Sequence, residues 1–172
     1  MDAVTEGRLS ADIVAVGTDV VDCGALERAA WSGIPAFVCP PSDFGIRDDW
    51  NRALLDLLRS YDPDWIVSAG FMRILGPTVV EAYAGRILNT HPALLPAFPG
   101  AHAVRDALAY GVTVTGCTVH VVDQGVDTGP ILAQVAVPVL PDDTEAELHE
   151  RIKIQERELL VTTLSRLIGE PS

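Results

Sequence analysis

The chain has 172 residues, of which 48% are hydrophobic, and its formal net charge is -12 because 24 Asp and Glu outnumber 12 Lys and Arg. This length can enclose one continuous apolar core, no apolar run reaches the roughly 18 residues that cross a bilayer, and the acidic balance disfavours binding to nucleic-acid backbones. Three widely spaced cysteines and no secretory leader exclude a disulfide scaffold or zinc motif. We therefore expect one cytoplasmic domain over residues 1–172, without nucleic-acid or membrane partners.

The first half of the chain alternates predicted strands with predicted helices. Residues 11–19 and 34–40 are apolar enough for buried strands, and the segment 23–33 between them is typical of a helix that Gly33 ends. The elements predicted after these are a helix from Asp48 to Tyr61, a strand over 65–70, a short helix after Pro77 and a strand over 86–91. This alternation predicts an α/β fold with a mainly parallel, Rossmann-like sheet and helices on both faces. Ligands bind such sheets beyond the carboxyl ends of the strands.

The second half departs from this alternation. After a predicted helix over 102–111, the β-rich runs 114–123 and 129–139 are joined by QGVDT, which predicts a hairpin-like pair and mixed strands toward the C-terminal half. A long amphipathic helix is predicted over 142–168, with Thr144 and Glu147 at the spacing of a capping box. We expect this helix to close the domain.

The segment ILNTHPALLPAFPG, residues 87–100, holds the first candidate for a reactive site. Asn89 and His91 lie two apart on a predicted strand, so both face one side of the sheet while Thr90 faces the other. Pro92 ends the strand, which leaves an amide donor and a titratable imidazole at the edge where ligands bind. A capping asparagine beside a partly exposed histidine gives the same local pattern, so the pair alone does not establish catalysis.

Asp127 is the third candidate. It lies in DQGVDTGP, a loop between the two β-rich runs with a glycine on either side of the aspartate, and this loop can reach the same sheet edge. An aspartate before Thr-Gly-Pro can also be only a turn former. Taken together, Asn-x-His-Pro-x-Leu-Leu-Pro and the later Asp-x-Gly-Pro resemble the formyltransferase family that uses 10-formyltetrahydrofolate.

The resemblance extends over nearly the whole chain, through AGFMRILGP, GCTVHVVDQGVDTGPILAQ and IKIQERELL. It is greatest to the branch of the family that formylates glycinamide ribonucleotide in de novo purine biosynthesis, and it implies the formyltransferase fold and a cis bond between Leu95 and Pro96. The implied catalytic residues are Asn89, His91 and Asp127. The implied cofactor-binding residues are Arg47, Met72, Arg73, Ile74, Leu75, Asn89 and Asp123, and the implied substrate-binding residues are Pro92 and Glu156.

Formyl transfer to a primary amine passes through a tetrahedral intermediate, whose negative oxygen needs preorganised donors. Asn89 and a protonated His91 would meet this charge, while Asp127 favours the charged imidazole and assists proton transfer through a bridging water. No nucleophile is required, so Cys117, Ser68 and Cys39 are expected to be small buried strand residues. The His and Asp residues near the site match no recognised ligand spacing, so no metal is expected.

The sequence departs from the family pattern in three places. The family's first strand and its glycine-rich phosphate-binding turn have no counterpart before Met1, and the chain ends soon after the long helix. We therefore expect a domain shortened at both ends, with one central sheet position empty and with reduced stability or self-association, for instance as a homodimer. Thr90 replaces the usual isoleucine and, because it faces away from the site, is expected to have little effect.

Two alternatives to the transferase interpretation stay open. A related deformylase shares the Asn-x-His pair and the aspartate, so hydrolysis of the same cofactor is conceivable. That relative normally carries an extra N-terminal domain, and the methionyl-tRNA formyltransferases carry an extra C-terminal domain. Neither domain is expected here, which disfavours both relatives. The other alternative is a folate-binding remnant without transfer activity, because the phosphate-binding turn is missing.

Overall fold

The computed structural model describes residues 1–169, and its strands and α-helices from Val16 onward follow the predicted order. The helices are α1 (Asp2–Thr5), α2 (Gly24–Trp31), α3 (Arg47–Tyr61), α4 (Pro77–Ala82), α5 (Ala103–Tyr110) and α6 (Glu145–Gly169). The strands are β1 (Val16–Thr18), β2 (Ala36–Val38), β3 (Ile66–Ser68), β4 (Ile87–His91), β5 (Val114–Val121) and β6 (Ile131–Pro138), and a 3-10 helix covers Pro41–Asp43. Residues 170–172, the end of the predicted domain, lie outside the described residues.

The strands form two sheets. β1 and β2 make a parallel pair, and the second sheet has the order β3, β4, β5, β6 with one parallel pair followed by two antiparallel pairs. This arrangement confirms the predicted α/β fold with mixed strands toward the C-terminal half. Within residues 1–169 no ladder joins the two sheets, so β1 and β3 each keep an unpaired edge. Self-association through such edges stays a prediction.

β1 is much shorter than the strand predicted over 11–19. Its ladder runs only from the pair of Val16 and Ala36 to the pair of Thr18 and Val38. A strand is defined by its partners, and β2 offers partners to three residues only. The apolar run before Val16 therefore has strand composition without strand pairing.

α3 carries the centre of one hydrophobic cluster. Trp50 is fully buried, and its indole Nε1 donates a hydrogen bond to the carbonyl oxygen of Cys39 at 2.9 Å. Leu54 and Leu55 pack beside it against Ile87 of β4. The helical apolar spacing that predicted α3 thus identifies the face that the helix buries, and this packing fixes the start of β4.

α6 closes the other side of the second sheet. Its buried Leu148 and Ile152 pack against Cys117 of β5 and Val137 of β6. The capping box is confirmed, because the Thr144 N–H donates to Glu147 at 3.0 Å and the Glu147 N–H donates to the Thr144 hydroxyl at 3.2 Å. Even this helix, the longest among residues 1–169, lacks the apolar content needed to span a bilayer.

Asp143 and Arg151 fix the start of α6 to β6, and this pair predicts an acid-dependent loss of stability. The guanidinium of Arg151 donates to Asp143 at 2.6 Å and to the carbonyl oxygen of Pro138 at 3.0 Å. The bonds to Arg151 and to the Leu140 N–H lower the pKa of Asp143 from 3.8 to about 2. Because this folded-state pKa is depressed, the pair stabilises the fold above pH 3.8 and its contribution disappears as the pH falls toward 2.

We therefore expect Asp143→Asn to lower the Tm at neutral pH. The difference in Tm from the wild type should shrink as the solution is acidified, because the wild-type carboxylate then becomes protonated as well. Circular dichroism melts of both proteins over a pH series measure this difference. Glu145→Gln, at an exposed position in the first turn of α6, is the matched control. A difference in Tm that stays constant over the series would contradict the assignment.

Candidate active site

The antiparallel pairing of β4 with β5 determines which side chains share the site. Asn89 stands opposite His120, and His91 stands opposite Thr118. Because cross-strand neighbours lie on the same face of a sheet, these four side chains occupy one face. Thr90, between Asn89 and His91 on β4, faces the other side as predicted.

The stiff segment after His91 folds back over this face. Thr118, fully buried, accepts a hydrogen bond from the Leu95 N–H at 3.1 Å and donates one to the carbonyl oxygen of Ala93 at 2.7 Å. The Gln134 amide donates to the carbonyl oxygen of Leu95 at 2.9 Å. The bond between Leu95 and Pro96 is cis, which confirms the expectation drawn from the resemblance. Two polar side chains of the sheet thus fix the backbone of the segment.

The same segment then returns to the catalytic candidates. The carbonyl oxygen of Phe98 lies 2.8 Å from Nε2 of His91, and the Gly100 N–H donates to Oδ2 of Asp127 at 2.7 Å. Phe98 and Asp127 both have positive φ, 53° and 55°. A non-glycine residue in this region is uncommon and is retained where its surroundings fix it. The rigid segment after β4 therefore positions both the histidine and the aspartate.

His91 is buried, with 4% of its surface exposed, and both of its ring nitrogens face oxygen atoms. Nε2 faces the carbonyl oxygen of Phe98, and Nδ1 lies 3.3 Å from Oδ2 of Asp127. A carbonyl oxygen only accepts, so Nε2 carries hydrogen, and the contact of Nδ1 with the carboxylate is an ion pair when the ring is protonated. The arrangement therefore suits an imidazolium paired with a carboxylate.

Asp123 shapes the loop that carries Asp127. Its carboxylate accepts hydrogen bonds from the Gly125 N–H at 2.9 Å and from the Thr128 hydroxyl at 2.7 Å. The bond from Thr128 makes the largest contribution to lowering the pKa of Asp123, and the Gly125 N–H adds to it. The structure thus gives this predicted cofactor-binding residue a direct role in positioning Asp127.

His120, a strand residue outside the predicted set of site residues, is also a member of the cluster. It is 2% exposed, and its Nε2 lies 3.2 Å from the amide nitrogen of Asn89 and 3.6 Å from a carboxylate oxygen of Asp127. Its Nδ1 lies 3.1 Å from the carbonyl oxygen of Val121, which only accepts, so Nδ1 carries the hydrogen. Nε2 then accepts from Asn89 and fixes the orientation of that amide. Only the strand register could have revealed this contact.

The predicted cofactor segment after β3 is partly exposed and touches Arg47. Met72 and Ile74 are 71% and 62% exposed, whereas Leu75 packs against the cluster around Trp50. The Arg47 guanidinium donates to the carbonyl oxygen of Ile74. These predicted residues therefore form one surface, with exposed apolar side chains beside a cation.

Arg73, within the same segment, forms an ion pair with Asp19. Its Nε donates to the carboxylate of Asp19, just beyond β1, at 2.7 Å. Its side chain is 48% exposed, whereas that of Asp19 is 14% exposed. The ion pair links the chain after β1 to the chain after β3, one edge strand from each of the two sheets. Arg73 is thus held at the carboxyl ends of both strands.

Asn51 is a second residue whose role the sequence did not indicate. Its side chain, 3% exposed, donates to the carbonyl oxygen of Arg47 at 3.0 Å and accepts from the Gly76 N–H at 2.9 Å. A Cβ at position 76 would collide with this carboxamide, which explains the glycine there. Asn51 therefore fixes the end of the 72–75 segment to the first turn of α3. A lone asparagine on the apolar face of the helix was the available signal.

Of the two predicted substrate-binding residues, one lies next to the catalytic cluster and the other lies apart from it. Pro92 directly follows β4, but Glu156 of α6 accepts a hydrogen bond from the Thr90 hydroxyl at 2.6 Å. Its carboxylate therefore lies on the opposite face of β4 from Asn89 and His91.

Burial and the charge of Glu156 raise the pKa of the Cys117 thiol to about 12, so this cysteine stays protonated and unreactive.

Comparisons with known proteins agree with this architecture. Residues 1–164 match the formyl transferase family. The phosphoribosylglycinamide formyltransferase of Mycobacterium tuberculosis is 56% identical over 161 residues, which are 94% of this chain and 74% of that protein. The crystal structure of phosphoribosylglycinamide formyltransferase from Bacillus halodurans has a TM-score of 0.94 at 38% identity, over 98% of this chain and 87% of that chain. A formyltetrahydrofolate deformylase from Pseudomonas syringae has a TM-score of 0.87 at 27% identity, over 95% of this chain and 54% of that chain.

The family match includes β4, its following segment and the loop that carries Asp127. High identity to a named enzyme and a shared fold, each over more than nine-tenths of this chain, confirm the resemblance inferred from the motifs. The chain is therefore an enzyme that belongs to the formyl transferase family.

Proposed function

We propose that this chain transfers the formyl group of 10-formyltetrahydrofolate to the amine of glycinamide ribonucleotide in de novo purine biosynthesis, in the cytoplasm. The observation that carries the proposal is the buried pairing of His91 with Asp127 beside Asn89. The relative from Mycobacterium tuberculosis, named for formylation of phosphoribosylglycinamide, supports the choice of substrate.

The reaction forms a bond between the amine nitrogen and the formyl carbon and breaks the bond from that carbon to the folate nitrogen. The amine loses one proton and the folate nitrogen gains one. Between these events the formyl oxygen carries negative charge, and a donor placed near it typically stabilises the transition state by about 3 kcal/mol. Asn89 supplies one such donor through the amide N–H that His120 does not use.

His91 supplies a second donor, and its two contacts differ in length. The bond from Nε2 to Phe98 is short at 2.8 Å, whereas the contact from Nδ1 to Asp127 is long at 3.3 Å. Nδ1 contacts the carboxylate without forming a hydrogen bond to it, so Nδ1–H is the group that can be offered to the formyl oxygen. Asp127, held by the Gly100 N–H, then balances the imidazolium and accepts the proton of the amine through a water.

The formyl donor and the nucleotide substrate would contact two different parts of the surface around the catalytic residues. The exposed apolar side chains of Met72 and Ile74, with the nearby guanidinium of Arg47, suit a ligand that combines an aromatic ring with carboxylates, as folate does. This proposal assigns binding of the folate to Arg47, Met72, Arg73, Ile74, Leu75, Asn89 and Asp123. It assigns binding of the nucleotide to Pro92 and Glu156.

One assay distinguishes this proposal from its alternatives. The purified chain is incubated with 10-formyltetrahydrofolate, with and without glycinamide ribonucleotide, and release of tetrahydrofolate is followed. Release that requires the nucleotide supports the transferase. Release without it supports hydrolysis, which the similarity to the deformylase makes the second candidate. Binding of the folate without release would show a remnant that has lost transfer.

A further inference from the structure

The orientation of the His91 imidazole depends on the backbone of Phe98. The carbonyl oxygen of Phe98 lies 2.8 Å from Nε2 of His91, the short contact of that ring. Phe98 has a φ of 53°, a conformation that is unfavourable for a non-glycine residue and persists only where its surroundings hold it. The position of this acceptor therefore requires a contact that holds Phe98 itself.

The ring of Phe98 anchors the end of the segment after β4. The segment is hydrogen-bonded to the sheet at Leu95, but of residues 96–99 only Phe98 is partly buried and the other three are exposed. The ring of Phe98 meets that of Tyr110 at an angle of 67°, with the two centroids 5.9 Å apart. Rings in this arrangement attract each other, because the positive edge of one meets the negative face of the other.

Tyr110 is the last residue of α5, a helix that is fixed to the second sheet. Val104 of α5 is buried in one cluster with Cys117 of β5 and Leu148 of α6. The side chain of Tyr110 is exposed, so it adds little to that core, and its aromatic partner is Phe98. A rigid helix thus supports the end of the segment through one side chain.

We propose that Tyr110 is a positioning residue for the reaction, which acts through Phe98 to hold the His91 imidazole in place. This inference rests on the proposed function. Tyr110 takes no part in the bond changes. It keeps the acceptor of Nε2 fixed, so that the opposite ring nitrogen, Nδ1, stays directed at the place where the formyl oxygen becomes charged.

The test compares Tyr110→Ala, which removes the ring, with Tyr110→Phe, which keeps the ring and removes only the hydroxyl. Steady-state release of tetrahydrofolate is measured with each substrate varied in turn. We expect Tyr110→Ala to lower kcat about fivefold, the effect of losing one aromatic pair, while the KM values for both substrates stay near those of the wild type. Tyr110→Phe should restore the wild-type kcat.

Tyr61→Ala is the matched control. Tyr61 is likewise the last residue of a helix, α3, and its ring stacks on that of Phe37 with centroids 5.6 Å apart. Phe37 belongs to β2, in the sheet that does not carry His91. Loss of this pair should lower the Tm but leave kcat at the wild-type value. An equal fall of kcat in Tyr61→Ala would overturn the inference.

Proton NMR reports the contact with Phe98 without any substrate. The Nε2–H of His91, buried and hydrogen-bonded, should exchange slowly with solvent in the wild type and in Tyr110→Phe, and faster in Tyr110→Ala. His91→Ala identifies the signal. Unchanged exchange and an unchanged kcat in Tyr110→Ala would overturn the inference while leaving the proposed function intact. If the wild type releases no tetrahydrofolate with the nucleotide, the proposed function fails, whereas faster exchange in Tyr110→Ala still supports the positioning of His91.

Discussion

His91→Ala is expected to lower kcat by about 10²-fold to 10⁴-fold, and Asp127→Ala is expected to have an effect of the same order. In the proposed mechanism, the first change removes the Nδ1–H that lies beside the carboxylate and would face the formyl oxygen. The second removes the charge that would balance the imidazolium and accept the proton of the amine. Both rates are measured as tetrahydrofolate release at saturating concentrations of both substrates, and both variants should still unfold cooperatively.

Asp127→Asn tests the charge of the Asp127 carboxylate separately from its role in holding the loop. An asparagine can still accept the Gly100 N–H, so the loop should keep its conformation and the Tm should stay near that of the wild type. The rate should nevertheless fall strongly, because a neutral amide neither balances the imidazolium nor accepts a proton. Matched controls are His149→Ala and Asp142→Ala, outside the cluster on or beside α6. A folded His91 or Asp127 variant that keeps most of its rate would contradict the assigned roles.

The shared face of Asn89 and His91 could be predicted from the sequence because its geometry is local. Side chains alternate along a strand, so Asn89 and His91 had to share a face, and Pro92 had to end that strand. The capping box of Thr144 and Glu147 is local in the same sense and is confirmed. Features that depend on a few consecutive residues could thus be predicted from the sequence alone.

The rest of the cluster depends on how separate elements meet. His120 joins Asn89 only through the register of β4 and β5, which the pattern of either strand alone does not specify. Glu156 reaches Thr90 only because α6 packs on that face of the second sheet. Such placements follow from the packing of the whole domain, so residue spacing alone could not have indicated them.

The segment after β4 shows how one local feature acts at a distance. Its prolines stiffen the chain, but its path over the sheet is fixed by Thr118 and Gln134 on β5 and β6. From there Phe98 and Gly100 reach His91 and Asp127. The prolines explain why the segment is rigid, and the hydrogen bonds to the sheet explain where the segment lies.

Asn89→Ala should lower kcat by about 10²-fold to 10³-fold, the typical cost of one donor to a negatively charged oxygen in the transition state. The amide can act in this way only if its nitrogen faces the site. His120 enforces that orientation, because its Nε2 accepts from the amide nitrogen of Asn89 at 3.2 Å. A smaller loss of kcat is therefore expected for His120→Ala, since the amide remains present but is free to turn.

The combination of the two changes tests whether they act through the same group. If His120 serves to orient the amide, His120→Ala should cost nothing further in a chain that already carries Asn89→Ala. Steady-state kcat values for the wild type, the two single variants and the double variant complete this cycle. Losses that multiply would show that His120 acts independently of Asn89, for example through Asp127, whose carboxylate lies 3.6 Å from the same ring nitrogen.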